Sequence, residues 1–485
     1  MTRMTLYPDQ QVDLDRMVAE PTRACLNAST TGVGKTVMTI ELIRGIDAKT
    51  VLIIAPPNTS RSWKATAEQQ EIGLDFKVID SKHPQHFTDL ESRVPGIYFV
   101  SREYFLLSGT SLSSKPVVDK KTKEPQFNED GTPKMTKGRE IKHKWSKVKP
   151  DLLAYDEVQA VSNRWSRGIS VLRSIKAGYK IGMSATPQGN KFMNLWTICQ
   201  WLWPKEVNPE TGELYVDNSQ WRWAAQWAEF ESDPWTSTGQ RVVGEKVEGA
   251  FVNSLPCYVR IEREETPYEV RKCYVDLMPE QRRMYDQMEA DALVWLGEHP
   301  LIADLPLTQR MRMRQITLGS VSVDLDGEVD FTPGCESSKI DALHKILDKH
   351  HPGEPVVVFL DSAKFAHEVA RRVGGFAWVG GVSQKDRDAA LAEFGKSLRV
   401  IVATIPAVAE GLDGLQRVCN VEVWLSQSLN NMLNIQARGR LNRTGQQAEK
   451  IYQYFLMARD TDDDGHFQRL LDNRISVSNQ LRKGK

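Results

Sequence analysis

The chain has 485 residues, of which 40% are hydrophobic and 26% are charged, so it can bury more than one core and is not a disordered protein. Lys and Arg together number 63, as do Asp and Glu, so the formal net charge is zero and a nucleic-acid site must arise from local clusters of basic residues. The six cysteines form no CxxC pair, which argues against zinc and against a disulfide framework.

Targeting and membrane signals are missing from the sequence pattern. No apolar run approaches the ~18 residues that a membrane span needs, and the first 15 residues lack the basic-then-apolar profile of a signal peptide. We therefore expect a monomer without a membrane partner, in the cytoplasm of a prokaryotic cell or of a virus-infected host cell. A prior of about 150 residues per domain predicts two or three structural units.

A glutamine lies close to the start of the chain, in the stretch Leu6-Tyr7-Pro8-Asp9-Gln10-Gln11. The amide of Gln10 can pair with both a donor and an acceptor on the edge of adenine, so Gln10 is a candidate reader of a nucleotide base. An exposed glutamine without a function fits this stretch equally well.

The stretch from Ala28 to Thr36 predicts a phosphate-binding loop, or P-loop. Glycines allow backbone N–H groups to turn inward around an anion, and the residues after them open a helix whose dipole faces the same point. In this arrangement Lys35 reaches the β- and γ-phosphates of a nucleotide and the Thr36 hydroxyl binds Mg²⁺. The predicted nucleotide-binding residues of the loop are Thr31, Gly32, Val33, Gly34, Lys35 and Thr36.

The loop departs from the pattern GxxxxGK[ST] at one position, because Ser29 stands where the pattern has its first glycine. An ordinary glycine-containing turn is the alternative. The surroundings favour the P-loop, since an apolar run from Ala24 to Ala28 precedes it as a buried strand and a helical pattern from Val37 to Ile43 follows.

Two further apolar runs predict strands of a parallel sheet, from Thr50 to Pro57 and from Gly96 to Ser101. Ligands of open α/β sheets bind at the carboxyl ends of the strands. A second ligand is therefore expected at the residues that follow these two strands, namely Ser60, Arg61, Ser101 and Arg102.

The composition changes between residues 115 and 149. This segment holds eleven Lys or Arg and five Asp or Glu, a net charge of +6 (11 − 5), with little periodicity. We interpret it as a solvated insertion in preference to a nucleic-acid contact arm, and the second interpretation stays open.

A strand predicted from Asp151 onward ends in the adjacent carboxylates Asp156 and Glu157. Downstream of a phosphate loop this pair supplies what hydrolysis requires, with Asp156 on Mg²⁺ and Glu157 activating the attacking water. A further strand from Tyr179 to Met183 runs into Ser184-Ala185-Thr186, whose small side chains suit a junction that senses the γ-phosphate.

At these residues the chain resembles superfamily-two helicases and translocases. Asp156-Glu157-Val158-Gln159 and Ser184-Ala185-Thr186 are similar to the second and third motifs of that family, and Leu6 to Gln10 is similar to the start of its Swi/Snf-type branch. The resemblance continues to about Arg474. It implies that Gln159, Ser184, Ala185 and Thr186 couple the nucleotide to movement.

The middle of the chain, residues 204 to 335, is predicted to form helical protrusions and a linker. Its tryptophans could stack on bases, but helical spacing with Ala224, Ala225 and Phe230 favours a packed core for Trp221, Trp223 and Trp227. The segment from Pro279 to Gly297 predicts a helix.

Alternating strand and helix patterns return past Glu336, which predicts a second parallel sheet. The segment from Ala409 to Leu415 resembles the fifth motif, which implies nucleotide contacts for Gly411 and Asp413 and a DNA contact for Thr404. The segment from Gln436 to Gln446 resembles the sixth motif and the Gly-Gln ending of the Swi/Snf branch, which adds Gln436 to the nucleotide site. Arg440 and Arg443 would share one face of a helix and stabilise the charge on a triphosphate.

The sequence thus predicts an α/β protein with two RecA-like lobes, each built on a parallel sheet and joined by a helical middle region. The predicted boundaries are a first lobe at 1–203 with a basic insertion at 107–149, the middle region at 204–335, a second lobe at 336–475 and a basic tail at 476–485. Gln159 in place of histidine and Leu429-Asn430 in place of Trp-Asn depart from the family, and neither removes a catalytic group.

The expected function is that of an ATP- and Mg²⁺-dependent motor that hydrolyses ATP in the cleft between its lobes and tracks along duplex DNA. One alternative is a strand-separating helicase that remodels forks or recombination intermediates, and another is an ATP-gated recruitment module. Replication or recombination proteins are the expected partners.

Overall fold

The computed structural model describes the chain over the following residues: 3–108, 111–116, 135–142, 144–189, 191–233, 239–263, 266–296, 299–303, 306–323, 329–331, 333–409, 412, 414–443, 445–468 and 470. The chain divides into two compact units, one formed by residues 1–30, 34–261 and 479–485 and the other by residues 31–33 and 262–478. Each unit is built on its own sheet.

The described elements of the first unit alternate between strands and helices. In chain order they are α1 (Pro8–Ala19), β1 (Ala24–Asn27), α2 (Lys35–Gly45), β2 (Thr50–Ala55), α3 (Ser60–Gln69), β3 (Phe76–Ile79), α4 (Gln85–Glu91), β4 (Gly96–Ser101), α5 (Arg102–Ser108), β5 (Ser111–Pro116), β6 (Met135–Lys142), β7 (Leu152–Asp156), α6 (Arg167–Ser174), β8 (Tyr179–Met183), α7 (Met193–Leu202), α8 (Gln220–Trp227), β9 (Ala228–Ser232), β10 (Gln240–Glu245), α9 (Ala250–Ser254) and β11 (Tyr258–Val259).

Seven of these strands form one parallel sheet in the order β11-β1-β8-β7-β2-β4-β3. Every residue of β1 and β2 is buried, as expected for strands with helices on both faces of the sheet. This burial explains why the two strands read as continuous apolar runs. Because all seven strands run the same way, the loops after β1, β2, β4, β7 and β8 emerge at one edge of the sheet.

The described elements of the second unit begin with a strand that the sequence placed in the middle region. In chain order they are β12 (Tyr268–Val275), α10 (Pro279–Asp291), β13 (Leu293–Leu296), β14 (His299–Ile302), α11 (Pro306–Leu318), β15 (Ser322–Val323), β16 (Val329–Asp330), α12 (Ser338–Lys345), β17 (Val356–Leu360), α13 (Ala363–Val373), β18 (Phe376–Trp378), α14 (Gln384–Glu393), β19 (Val400–Thr404), α15 (Ile405–Ala409), β20 (Val421–Trp424), α16 (Asn431–Arg438) and β21 (Ile451–Ala458).

The second sheet is also parallel, with six strands in the order β12-β21-β20-β17-β19-β18. Successive side chains along a strand point to opposite faces, so alternate residues enter two separate cores. Val356, Val358 and Leu360 pack in one core, while Val357 and Phe359 pack in the other. Both faces of the second sheet are therefore covered.

The predicted α/β class with two parallel sheets is confirmed, and the middle segment differs from the predicted pattern in detail. It contains helices α8 to α11, yet it also contributes an edge strand to each sheet and three two-stranded antiparallel ladders. The helix predicted from Pro279 to Gly297 is confirmed as far as Asp291, where α10 ends, and its predicted end is wrong. Ala292 adopts a left-handed conformation with φ of 54°, and strand β13 follows it.

The burial of the tryptophan side chains on α8 tests the packed core that is predicted for them. Trp223 is buried in the first unit, so the packed position predicted for it is confirmed, whereas Trp221 is half exposed and the prediction for it is wrong. All six cysteines are free thiols. Among the described residues, no helix is both long enough and apolar enough to cross a membrane.

A buried ion pair fastens helix α12 to the second sheet. The Lys339 ammonium is 1% exposed and donates to Asp463 Oδ2 at 2.8 Å and to the Leu425 carbonyl at 2.7 Å. Burial lowers the pKa of Lys339, and the Asp463 carboxylate opposes that effect. Lys339 therefore has a structural role, because it ties helix α12 to the end of strand β20.

Replacing Lys339 tests this role. Lys339→Met keeps the length of the side chain but leaves the Asp463 carboxylate without its cation, so the free energy of unfolding in urea should fall by about 3–5 kcal/mol. Lys345→Met, at an exposed position of the same helix, is the control and should change stability by no more than ~0.5 kcal/mol. Equal stability of the two variants would show that the ion pair contributes nothing.

Candidate functional site

The loop between β1 and α2 has the shape that the sequence predicts for a phosphate cradle. Helix α2 begins at Lys35, and Gly34 precedes it with φ of 84° in the left-handed region. Gly32 has φ of 77°. Left-handed backbone favours glycine because a Cβ would crowd the following carbonyl, so these two glycines are required by the turn itself.

The side chain of Gln10 lies against this turn. A Cβ added at Gly34 would be 2.8 Å from Gln10 Nε2, so a side chain there would displace the Gln10 amide. Gln10 is buried in the first turn of α1, and its Oε1 accepts a hydrogen bond from the Tyr7 N–H at 2.8 Å. The alternative of an exposed N-terminal glutamine is therefore wrong, while the reading of a nucleotide base by Gln10 stays a prediction.

The Lys35 side chain folds back over the loop. Its ammonium donates to the carbonyls of Ser29 at 2.8 Å and Thr30 at 2.9 Å. These hydrogen bonds hold the cation at the centre of the loop. The neighbouring Thr36 is half-buried as the second residue of α2.

Ser29, which departs from the P-loop pattern, connects the loop to the edge of the first sheet. Its Oγ accepts a hydrogen bond from the Ile261 N–H at 3.0 Å, and the Ile261 carbonyl accepts one from the Thr30 N–H at 3.0 Å. Ser29 is fully buried. Arg260 adds a third connection by donating to the Ala28 carbonyl at 3.0 Å. The start of the loop is thus fixed to the segment that follows strand β11.

Asp156 and Glu157 lie at the end of strand β7, as predicted. Burial raises the pKa of Asp156, the adjacent Glu157 carboxylate raises it further, and the nearby Lys35 ammonium opposes both effects. Asp156 also accepts hydrogen bonds from the Trp63 side chain and from the Glu157 N–H, the latter at 3.0 Å. The structure therefore brings Lys35 and Asp156 within electrostatic range of each other.

Glu157 has a strained backbone. Its φ is 55° and its ψ is 54°, a left-handed conformation that costs a residue other than glycine about 1–3 kcal/mol. Gln159 Nε2 donates to Glu157 Oε2 at 2.7 Å and so fixes the direction of the carboxylate. Gln159 stands where the family has histidine, and it keeps a polar contact with the predicted base.

The predicted coupling segment is attached to the strand that leads into the phosphate loop. The Ser184 N–H donates to the Asn27 carbonyl at 3.1 Å, and Asn27 Oδ1 accepts a hydrogen bond from the Ser29 N–H at 3.1 Å. Ser184 Oγ in turn accepts from the Thr186 N–H at 3.0 Å. Asn27 therefore contacts both the loop and the Ser184-Ala185-Thr186 segment.

The predicted DNA-contacting residues of the first unit lie at the carboxyl edge of the sheet. Ser60 opens α3 and Arg61 is exposed beside it. Ser101 ends β4, where its Oγ accepts a hydrogen bond from the Tyr104 N–H at 3.1 Å and caps α5. Arg102 is largely buried and Thr404, in the second unit, is buried at the end of β19.

The two predicted arginines of the second unit are not on a helix, so this prediction is wrong. Helix α16 ends at Arg438, and the chain continues in turns through Arg443. Arg440 Nη1 donates to the Leu412 carbonyl at 3.1 Å and Arg443 Nε donates to the Gly439 carbonyl at 2.7 Å. Gly439 and the close backbone turns after it end the helix before the arginines are reached. Gln436 lies on α16 and is half-buried.

Two amide side chains hold these turns. Asn442 Oδ1 accepts from the Thr266 N–H at 3.0 Å, while Asn442 Nδ2 donates to the Thr266 carbonyl at 2.9 Å. Gln446 Nε2 donates to the carbonyls of Cys419 at 3.0 Å and Leu441 at 3.1 Å. The turns that carry Arg440 and Arg443 are therefore fixed from both sides within the second unit.

Some predicted residues lie outside the described part of the chain. These are Gly411, Asp413 and most of the basic insertion, of which the structure describes the antiparallel pair β5 and β6. Among the described residues, no group of three or more His, Cys, Asp and Glu side chains could hold a metal ion by itself. Thr36 and Asp156 offer oxygen donors of the kind that Mg²⁺ prefers alongside phosphate oxygens.

Comparison with known families covers most of the chain. Residues 12–316 match the SNF2-related domain, and residues 338–445 match the helicase conserved C-terminal domain. The first match alone spans well over half of the chain. The chain belongs to the SNF2-related family. Both matches place it among helicase-type ATPases of the Swi/Snf class, as the resemblance of its motifs implied.

Individual relatives are distant. The chain is 22% identical to mouse "Helicase ARIP4" over 41% of its length and 20% identical to the "Uncharacterized ATP-dependent helicase MG018" of Mycoplasma genitalium over 66% of its length. It spans 16% and 29% of those two proteins. The solved "Sulfolobus solfataricus SWI2/SNF2 ATPase core in complex with dsDNA" is 16% identical, with a TM-score of 0.41 and coverage of 99% of this chain and 94% of that chain.

Sequence reasoning missed the residues that position the site. In sequence, Ser29 is only a departure from the P-loop pattern. Asn442 and Gln446 are only part of the segment that resembles the sixth motif. The signal for Ser29 was the change from glycine to a hydroxyl residue between two apolar stretches, where a buried hydroxyl needs a hydrogen-bond partner. Its partner Ile261 is 232 residues away along the chain, and no local pattern could identify it.

The connection made by Ser29 can be tested by truncation. Ser29→Ala leaves the Ile261 N–H without its acceptor in a buried position, so the free energy of unfolding should fall by about 1–3 kcal/mol. Ser92→Ala, at an exposed position after α4, is the matched control and should be neutral within ~0.5 kcal/mol. Chemical denaturation of both variants measures the difference. If the two variants are equally stable, the Ser29 hydroxyl does not hold the loop.

Proposed function

We propose that this protein hydrolyses ATP and uses the reaction to move along duplex DNA. The observation that carries the proposal is the grouping of a phosphate loop and a strained Asp-Glu pair at one edge of a parallel sheet. Burial and the Glu157 carboxylate raise the pKa of Asp156 at the end of β7, and the Lys35 ammonium on the loop opposes that rise, so the two predicted catalytic elements already interact. Membership of the SNF2-related family supports the same reaction.

Mg²⁺ fits the residues of the first unit. Thr36 and Asp156 would hold it through oxygen atoms, and the ion would neutralise charge on the β- and γ-phosphates. One or two protein oxygens suffice for Mg²⁺ when the nucleotide supplies others, so the absence of a larger acidic cluster from the described residues agrees with this role.

Glu157 is the proposed general base. Glu157 follows strand β7 in a strained backbone conformation, and the hydrogen bond from Gln159 orients its carboxylate. A base in this position removes a proton from the attacking water. Arg440 and Arg443 are proposed to stabilise charge on the triphosphate, a role that rests on the sixth-motif resemblance.

DNA is proposed to lie along the carboxyl edge of the sheets. Arg61 is exposed there and can pair with phosphate, and backbone contacts of this kind are independent of base sequence. The other proposed contacts are Ser60, Ser101, Arg102 and Thr404. We further propose a monomer in the cytoplasm that works with replication or recombination proteins.

Strand separation is the second candidate function. It would require an element that enters between paired bases. The exposed side chain of Trp165, near the proposed catalytic residues, supports this candidate. A recruitment module that only binds ATP is disfavoured, because the chain retains Lys35, Asp156, Glu157, Arg440 and Arg443 together.

Substitution of the proposed base separates binding from turnover. Glu157→Gln should keep ATP and DNA binding, since the amide oxygen can still accept from Gln159, but lower the rate of hydrolysis by about 10²-fold or more. Phosphate release measures turnover, and binding of a fluorescent ATP analogue measures retention. Glu68→Gln on the exposed face of α3 is the control. Hydrolysis by Glu157→Gln within a few-fold of the unsubstituted protein would remove Glu157 from this role.

The nucleic-acid preference is tested by the steady-state ATPase rate. The rate should rise more with blunt duplex DNA than with single-stranded DNA or RNA of the same length, because a duplex tracker needs both strands for its productive contacts. A chain with Lys35→Ala reports any contaminating ATPase. Greater stimulation by RNA than by duplex DNA would contradict the proposal.

A further inference from the structure

An exposed tryptophan lies just beyond the proposed catalytic residues. Trp165 is 81% exposed, the highest exposure among the large apolar side chains that the structure describes. Tryptophan in this protein is otherwise often buried, as Trp63, Trp145 and Trp203 are. Burial of an indole ring is favourable because it removes a large apolar surface from water. An indole ring that stays exposed on the surface of the chain therefore suggests a binding site for a ligand.

The turn that carries Trp165 is held in place by hydrogen bonds. The Trp165 N–H donates to Asn163 Oδ1 at 3.0 Å, and the Ser166 N–H donates to the Asn163 carbonyl at 2.9 Å. Ser166 Oγ then caps helix α6 by accepting from the Ile169 N–H. The backbone beneath the ring is therefore ordered on both sides, so little freedom would be lost when a ligand binds.

Packing places this turn at the carboxyl edge of the first sheet. The turn follows Asp156 and Glu157 by a single 3-10 turn, and Gly168 at the start of α6 fits against α5. A Cβ at Gly168 would be 3.1 Å from Leu106 Cδ2 and 2.8 Å from Val161 Cγ1. Helix α5 itself begins at Arg102, directly after β4. Trp165 thus belongs to the same edge as the proposed DNA contacts.

Two arginines lie close to Trp165 in the sequence, and one of them contacts its ring. The Arg164 guanidinium lies 4.5 Å from the centre of the Trp165 ring, and Arg167 is exposed two residues further on. Residues 162 to 168 contain no Asp or Glu. An exposed aromatic ring with one guanidinium against it and a second exposed arginine two residues along the chain matches the chemistry of a nucleotide, which offers a base to stack and phosphates beside it.

A protein partner is the competing occupant, since interfaces also favour tryptophan and arginine. Specific protein interfaces bury about 800 Å² per partner, with several apolar anchors in one patch. Here the turn offers one exposed aromatic ring with Arg164 against it and with Arg167 exposed two residues further along the chain. The small size and the charge favour a nucleotide over a protein.

We propose that Trp165 stacks on an unpaired base of DNA while Arg164 and Arg167 contact the neighbouring phosphates. The inference rests on the proposed function and refines its substrate: the protein engages duplex DNA that carries a single-stranded extension or gap. Trp165 is a DNA-binding residue in this proposal and has no part in the hydrolysis of ATP.

The test compares three DNA ligands by fluorescence anisotropy: a blunt duplex, the same duplex with a single-stranded extension, and the duplex with an extension of abasic sites. The abasic extension keeps the phosphates and removes the bases. The unsubstituted protein should bind the base-bearing extension about 5- to 100-fold more tightly than the abasic one, the range expected for one base-aromatic stack.

Variants assign that difference to the ring. Trp165→Ala should bind the two extensions equally, whereas Trp165→Phe should keep most of the preference. Trp221→Ala, which removes a half-exposed tryptophan on α8, is the matched control and should behave as the unsubstituted protein. Replacing Arg164 and Arg167 with Ala should make the salt dependence of binding shallower, by about 0.7 in log–log slope for each lost phosphate contact.

ATPase measurements separate this inference from the proposed function. The rate without DNA should be the same in Trp165→Ala and in the unsubstituted protein. If blunt duplex stimulates ATPase but Trp165→Ala still prefers the base-bearing extension, the DNA motor stands and the stacking site is overturned, which leaves Trp165 to a protein partner. If Trp165→Ala weakens binding to all three ligands equally and also lowers the melting temperature, the ring is structural and the inference is overturned as well.

Discussion

The left-handed turn at Gly34 is the constraint on which the rest of the first unit depends. With φ of 84°, this turn aims the first N–H groups of α2 into the loop, and it leaves a space beside the backbone that the Gln10 amide occupies. A side chain at position 34 would be strained by the backbone and would collide with Gln10. Helix α1, the phosphate loop and helix α2 are therefore interdependent: the position of the lysine that follows the turn depends on a contact with the first helix of the chain.

Hydrogen bonds to neighbouring segments of the first unit also hold the phosphate loop in place. Asn27, at the end of β1, receives the Ser184 N–H on its carbonyl and the Ser29 N–H on its side chain. Ser29 Oγ in turn accepts a hydrogen bond from the Ile261 N–H. The predicted phosphate loop is in this way joined by hydrogen bonds to the Ser184-Ala185-Thr186 segment on one side and to the segment after β11 on the other. The hydrogen bonds from Ser184 to Asn27 and from Ile261 to Ser29 each join parts of the chain that lie far apart in sequence, the second pair by 232 residues.

Sequence predicted the elements of this architecture well because its strands are buried on both faces. Such strands have continuous apolar runs in sequence, and the runs at β2 and β4 predict strands for that reason. The end of α10 was missed because Ala292 adopts a left-handed conformation that alanine rarely favours. The helix predicted for Arg440 and Arg443 does not form. The prediction is wrong because a spacing of three residues fits both a helix and a series of turns. Gly439 was the local signal against a helix, and the pairing of Asn442 with Thr266 lies beyond local sequence.

The departures from the family pattern have different structural meanings. Gln159 takes the place of a histidine and keeps a hydrogen bond to Glu157, so the orientation of the proposed base does not require an imidazole. An amide does not titrate near neutral pH, whereas histidine does. The direction of the Glu157 carboxylate is therefore independent of the protonation of this neighbour. Ser29 acts differently, because it adds a hydrogen bond that glycine cannot make. The first substitution preserves a contact at the site and the second creates one that stiffens its support.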